Sequence, residues 1–160
     1  MKKTSLREAI LTALQRELEL QVQAAHLARD EAISEESRAE SKFDTHSQEA
    51  AYLAESQARI ASDIESSIAV YTTLPMPDFP PDAAVGLGAL VELGGGGHAP
   101  AWYFFGPRNG GLEVQVDGCD VLVVTPQSPL GRQLLGKRVG DAVQVVGRGG
   151  TLSPTIRSIV

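Results

Sequence analysis

Neither glycine nor proline occurs in the first 74 residues, and this restricts what they can form. Those two residues are the ones that most strongly break a helix interior, and without them the apolar spacing can run unbroken. Leu11, Leu14, Leu18, Gln21, Ala25, Ala28 and Ala32 recur in alternating steps of three and four, the spacing of a coiled-coil seam. A second stripe, Leu6, Ile10, Ala13, Leu20, Ala24 and Leu27, is expected to widen that apolar face. Ser5 and Glu8 have capping-box spacing, which predicts a helix start near residue 5.

The same pattern resumes with Leu53, Gln57, Ile60, Ile64, Ser67 and Tyr71, flanked by Ala54, Ala61 and Ile68. Thr45 and Gln48 repeat the capping spacing, so a second helix begins near 46. Pro75 ends it, because proline disfavours helix at the residue before it and has no amide to donate. Two arms of about 30 residues, ~45 Å each, read as an antiparallel helical hairpin over 1–74.

Between the arms, Ile33 to Glu49 forms the expected tip. Asp30 to Glu49 holds Asp30, Glu31, Glu35, Glu36, Glu40, Asp44 and Glu49 against only Arg38 and Lys42, so this segment carries most of the net charge of −6. Like charges at helical spacing repel by a few tenths of a kcal/mol per pair. Helix stability alone does not account for such a concentration.

After residue 74 the texture changes. Pro75 to Asp82, PMPDFPPD, is a stiff connector, and 83–160 is a second domain. Its expected strands are Val85 to Leu93, Ala101 to Phe105, Leu112 to Val116, Val121 to Val124, Ala142 to Val146 and Thr155 to Val160. Asp117-Gly118 between alternating apolar runs signals a hairpin. Ser128 to Leu135 reads as one short helix, with Ser128 as cap, Pro129 in its first turn and Gly136 as a left-handed stop. Together these give an α+β chain: a helical hairpin, then a small antiparallel sheet carrying one short helix.

Composition excludes several classes. An acidic chain lacks the clustered Lys and Arg needed to hold phosphates, so direct DNA binding is not expected. Cys119 is the only cysteine, which excludes an internal disulfide; beside a valine run it reads as a packed, inert thiol. The charged start, SLREAILTALQRELEL, does not read as a secretion signal, and no run approaches the ~20 apolar residues of a membrane span. A cytoplasmic monomer is the expectation. Gly94 to Gly97 lacks the Gly-Lys-Ser/Thr of a phosphate loop, and His26, His46 and His98 lack metal-ligand spacing.

Ser128-Pro129-Leu130, Leu134-Leu135-Gly136-Lys137 and Val139-Gly140-Asp141, within Thr125 to Val146, resemble the C-terminal domain of the Gre family of bacterial transcript-cleavage elongation factors. Members of that family place an antiparallel coiled coil ahead of this domain, so the resemblance spans nearly the whole chain. It implies an FKBP-like C-terminal fold that docks on RNA polymerase, here through Ser128, Pro129 and Leu130, while the coiled coil enters the secondary channel. It also implies indirect contact with nascent RNA and stimulation of the polymerase's own RNA hydrolysis, the factor itself not being an enzyme.

Cleavage-competent members present an Asp-x-x-Glu-Asn loop followed by Ala-x-Tyr to a catalytic magnesium ion. Glu49-Ala50-Ala51-Tyr52 resembles the trailing part, but Thr45 and Gln48 stand where the family has its Asp and Glu. The resemblance then leaves Glu40 and Asp44, with Glu36 in reserve, as the acids that would share a magnesium ion in the polymerase complex only. A non-cleaving regulator that occludes the channel is the alternative. More remote readings are a prolyl isomerase and a coiled-coil chaperone.

Overall fold

A computed structural model describes residues 2–36, 45–147 and 150–160. The element order is α1 (Lys3–Glu36), α2 (Thr45–Thr73), β1 (Leu90–Gly95), β2 (His98–Phe105), β3 (Glu113–Val116), β4 (Cys119–Val124), α3 (Pro129–Leu134), β5 (Val145–Gly147), β6 (Gly150–Leu152) and β7 (Thr155–Ile159). The chain forms two compact units, Leu11–Thr72 and Met1–Ile10 with Thr73–Val160. The first turns of α1 thus belong to the sheet unit.

In the helical unit, Leu14 and Ala28 are buried and Leu18, Gln21 and Ala25 half-buried, so the three-four seam of α1 lies inward as its spacing predicts. Of the second stripe, Ala13 and Ala24 are half-buried, but its two leucines in this unit turn outward. Leu20 and Leu27 are 55% and 71% exposed, because they sit more than a quarter-turn from the seam at ~100° per residue, beyond the reach of a single partner helix. On α2 the inward residues are Ala54, Gln57, Ala61, Ile64, Ser67 and Tyr71, while Leu53 and Ile60 are exposed. Towards the tip its seam therefore runs one position from the expected one, on alanines.

The helices are antiparallel. Val22 to Arg29 and Ala54 to Glu65 line one groove between them. A parallel pair with Ala58 level with Ala25 would put Thr45 ~36 Å back along α1 from Glu36, whereas the chain from 36 to 45 reaches at most ~32 Å. Helix α1 starts at Lys3, and the Leu6 amide already donates to Lys2 O at 3.1 Å. Ser5 is therefore inside the helix rather than its cap.

The other unit is built on a five-stranded sheet of order β3-β4-β2-β1-β7. It is mixed, correcting the all-antiparallel expectation: β2 and β4 are parallel, with Trp102 opposite Val121 and Phe105 opposite Val124. Residues 106–118, including β3, make the crossover such a pair requires. The turn at Asp117 (φ 53°) and Gly118 (φ 78°) then folds β4 back antiparallel to β3. Strand β1 starts at Leu90, later than expected, because Val85 instead bonds the turn after α3 through Lys137 O and the Gly136 amide. The expected strand over 142–146 shortens to β5, which pairs only with β6, and Ala142 makes a single bridge to Thr155.

Alternation along the strands loads both faces. Val91, Leu93, Tyr103, Phe105, Val124, Ile156 and Ile159 share one core with Val85, Val143 and Leu134 of α3. The opposite face carries Leu90, Phe104, Val114, Val116, Val121 and Val123, also buried. Leu6 and Ile10, fully buried in the same unit, supply helical apolar surface that the strands lack. The first turn of α1 is tied down: Arg7 Nη2 donates to Leu74 O at 2.6 Å, Lys3 donates to Pro77 O, and the Lys3 ammonium lies 4.6 Å over the Phe79 ring. Cys119 is exposed rather than packed, since it sits directly after the Asp117-Gly118 turn where the hairpin end protrudes. No described helix is long and apolar enough to cross a membrane.

Candidate functional site

Helix α3 opens on a side-chain cap at Ser128. Ser128 is extended (φ −68°, ψ 153°), and its Oγ accepts from the Gly131 amide at 3.0 Å while donating to Thr125 O at 2.9 Å. Pro129 follows, where a missing amide costs nothing. The helix ends at Gly136, φ 77°, as its sequence predicts. Beyond it the Arg138 amide donates to Asp141 Oδ2 at 2.8 Å, closing the turn before the last strands.

Two residues that sequence reading passed over set this geometry. Gly131 is buried, and a Cβ there would overlap the Thr125 carbonyl and lie 2.8 Å from Ser128 Oγ. The tight Thr125-Ser128-Gly131 turn thus requires glycine; its place in Ser-Pro-Leu-Gly was the available signal. Gln133 uses both ends of its side-chain amide on Gln144, donating to Gln144 O at 3.0 Å and accepting from Gln144 N at 2.7 Å. Nothing in the spacing of two glutamines eleven apart signalled that pairing.

These bonds hold α3 beside β5 and leave a groove of about 410 Å³ between them. Pro129 and Leu130 form one wall and Val145 and Val146 the other, with Leu122 and Val124 at the base and Ser128, Gln133 and Gln144 along the rim. Pro129 is exposed, Leu130 half-buried against the core cluster, and Val146 84% exposed. Of the three residues expected to dock, Ser128 is committed to capping, and Pro129 and Leu130 present the apolar surface. No lining residue is titratable, so the groove can bury an apolar ridge of another molecule but carries no acid or base.

Glu40 and Asp44 lie outside the described residues, and Glu36 is the last residue of α1. Among the described residues no cluster of three or more His, Cys, Asp or Glu side chains could hold a metal ion.

The family profile for the GreA/GreB transcription elongation factor C-terminal domain matches residues 115–160. This stretch contains β4, α3, the groove walls and β7. No curated relative matches the chain. Among solved structures, GreA factor homolog 1 (Gfh1) of Thermus thermophilus is 20% identical, with 94% of each chain covered and a TM-score of 0.40. Gfh1 of Thermus aquaticus is 21% identical, covering 95% of this chain and 94% of that one, TM-score 0.39. A GreA/GreB factor from Nitrosomonas europaea is 19% identical, covering 71% and 92%, TM-score 0.36. What the comparisons establish is therefore a C-terminal segment, residues 115–160, that matches the C-terminal domain of GreA/GreB transcription elongation factors.

Proposed function

We propose that the chain binds bacterial RNA polymerase through the groove beside α3, inserts its helical arm into the secondary channel, and stimulates the polymerase's own cleavage of backtracked RNA. The observation that carries this reading is the groove itself: exposed apolar walls, without a titratable group, lying within the stretch that matches the family. Glu40 and Asp44, with Glu36 in reserve, supply the acids. Carboxylates are hard anionic donors suited to magnesium, one or two sufficing when water and phosphate fill the remaining positions. A magnesium ion at the polymerase centre would supply charge stabilisation for the attack of water on the RNA. The chain's own part is to carry its acids there on a rigid arm, with contact to nascent RNA only at that centre.

A second reading is favoured by one observation. Thr45 and Gln48 stand where cleavage-competent relatives would have acids, so the arm could fill the channel without promoting cleavage. Transcript cleavage on a stalled, backtracked polymerase, with and without the chain, decides between them. Shortened RNA in the presence of the chain supports stimulation, whereas binding without shortening at any magnesium concentration leaves occlusion.

A further inference from the structure

Leu122 is shared between the groove and a second, smaller cavity of about 220 Å³. That cavity is lined by Tyr103 and Leu122, by Ala101 and Trp102, and by the side chains of Glu113 and Asp120. Strand register explains the grouping. Tyr103 pairs with Leu122 across the parallel ladder and Leu122 with Glu113 across the antiparallel one, so the three stand in one row on one face of the sheet. Asp120, two residues before Leu122, projects from the same face.

The groups in this row are unevenly satisfied. Tyr103 is 7% exposed as a residue, and its hydroxyl, which still reaches solvent, has no hydrogen-bond partner among the described residues. Burial raises its pKa, so near neutral pH it keeps its proton and offers both a donor and a lone pair. Asp120 accepts one bond from Gln115 Nε2, at 3.3 Å. Neither Asp120 nor Glu113 is ion-paired among the described residues. The cavity therefore combines an apolar floor, two uncompensated carboxylates at its mouth and an unused hydroxyl in its wall.

A ligand matching all three needs an apolar stem and a cationic head with several donors. Arginine fits better than lysine, because its planar fork of five N–H donors can serve two acceptors at once while its stem lies on apolar surface. We propose that this cavity receives an arginine side chain of a protein partner: the stem against Leu122 and Tyr103, the guanidinium across Glu113 and Asp120, one remaining N–H to the Tyr103 hydroxyl oxygen. Since Leu122 also floors the groove, a protein seated there would present the arginine at its edge. Only that placement rests on the docking reading; the chemistry of the cavity stands apart from it.

The test uses the full chain, labelled with nitrogen-15, and two small probes. N-acetyl-arginine amide should shift the amide resonances of Trp102, Glu113, Asp120 and Leu122 along a saturable millimolar curve. N-acetyl-citrulline amide, nearly the same shape without the charge, should bind about fivefold more weakly or less. Glu113→Gln combined with Asp120→Asn should abolish the response in a chain whose remaining spectrum is unchanged, and Tyr103→Phe should weaken it a few-fold. Absent shifts, equal shifts with citrulline, or an unaltered response in the double variant would each overturn the proposal. Loss of the arginine response alongside intact polymerase binding removes the cavity alone. A retained response in a chain whose Leu130→Asp variant binds polymerase undiminished removes the groove reading alone.

Discussion

The side-chain amide of Gln133 is hydrogen-bonded at both ends to the backbone of Gln144, at 3.0 Å and 2.7 Å, and so stands in for one rung of a sheet between α3 and the approach to β5. An intramolecular hydrogen bond of this kind contributes about 0.5–1.5 kcal/mol net. Gln133→Ala should therefore destabilise the sheet unit by roughly 1–2 kcal/mol in a denaturant melt followed by the fluorescence of Trp102, the only tryptophan. Gln133→Glu should do no better, because it loses the donor and sets a carboxylate against the Gln144 carbonyl.

Gly131→Ala should be the costlier change. Its methyl group would press on backbone atoms of Thr125 and on the capping hydroxyl of Ser128, which no side-chain rotation relieves. Overpacking costs about 1–3 kcal/mol and occasionally more, and contact with fixed backbone puts this site at the upper end. At Gly136, where nothing crowds the position and only φ 77° opposes a side chain, Ala should cost about 1–2 kcal/mol. The two denaturant midpoints, measured side by side, separate steric from conformational demand.

Docking and folding can be told apart on one groove. Leu130 is half-buried against the core whereas Val146 is 84% exposed. Leu130→Asp should weaken polymerase binding with some loss of stability. Val146→Asp should weaken it with the melt unchanged, since only the complex would bury that charge, at a cost of several kcal/mol. Unchanged affinity for both folded variants in a binding titration would remove the groove from the interface.

The tip acids should separate binding from cleavage. Glu40→Ala with Asp44→Ala leaves the groove and the helical seam untouched, so affinity for polymerase should stay near wild type. Cleavage of backtracked RNA should fall by ~10²-fold, the scale on which a lost electrostatic contact acts in a transition state. A parallel Glu36→Ala variant measures whether the reserve acid contributes.

Tyr103 sets an alkaline limit. Burial raises its pKa above the ordinary 10.0, so the unfolded chain releases this proton first as pH rises. The stability contribution is complete below pH 10 and is lost as pH climbs from there through the raised folded-state value. Tyr103→Phe should flatten the decline of unfolding stability between pH 9 and 11 measured by urea titration.

Local chemistry in the sequence determined the elements. The absence of Gly and Pro before residue 75, the three-four seam of α1, the Ser128 cap, the left-handed Gly136 and the Asp117-Gly118 turn are set by local spacing, and each stands where that spacing puts it, whereas the seam of α2 slips one position towards the tip. Ser128, Pro129 and Leu130 all line one groove, with Ser128 also capping α3; that the groove docks a partner is the proposal made above. Tertiary structure decided what depends on partners distant in the chain. Leu20 and Leu27 satisfied the periodicity but a two-helix unit offers one partner surface, so they remain exposed. The parallel pairing of β2 with β4 follows from a crossover that no strand pattern encodes. Leu6 and Ile10 read as coiled coil but lie in the sheet unit. Gln133, Val146 and the row Tyr103-Leu122-Glu113 gain their roles only from neighbours that folding brings beside them, and periodicity reports a residue's own face, not what comes to cover it.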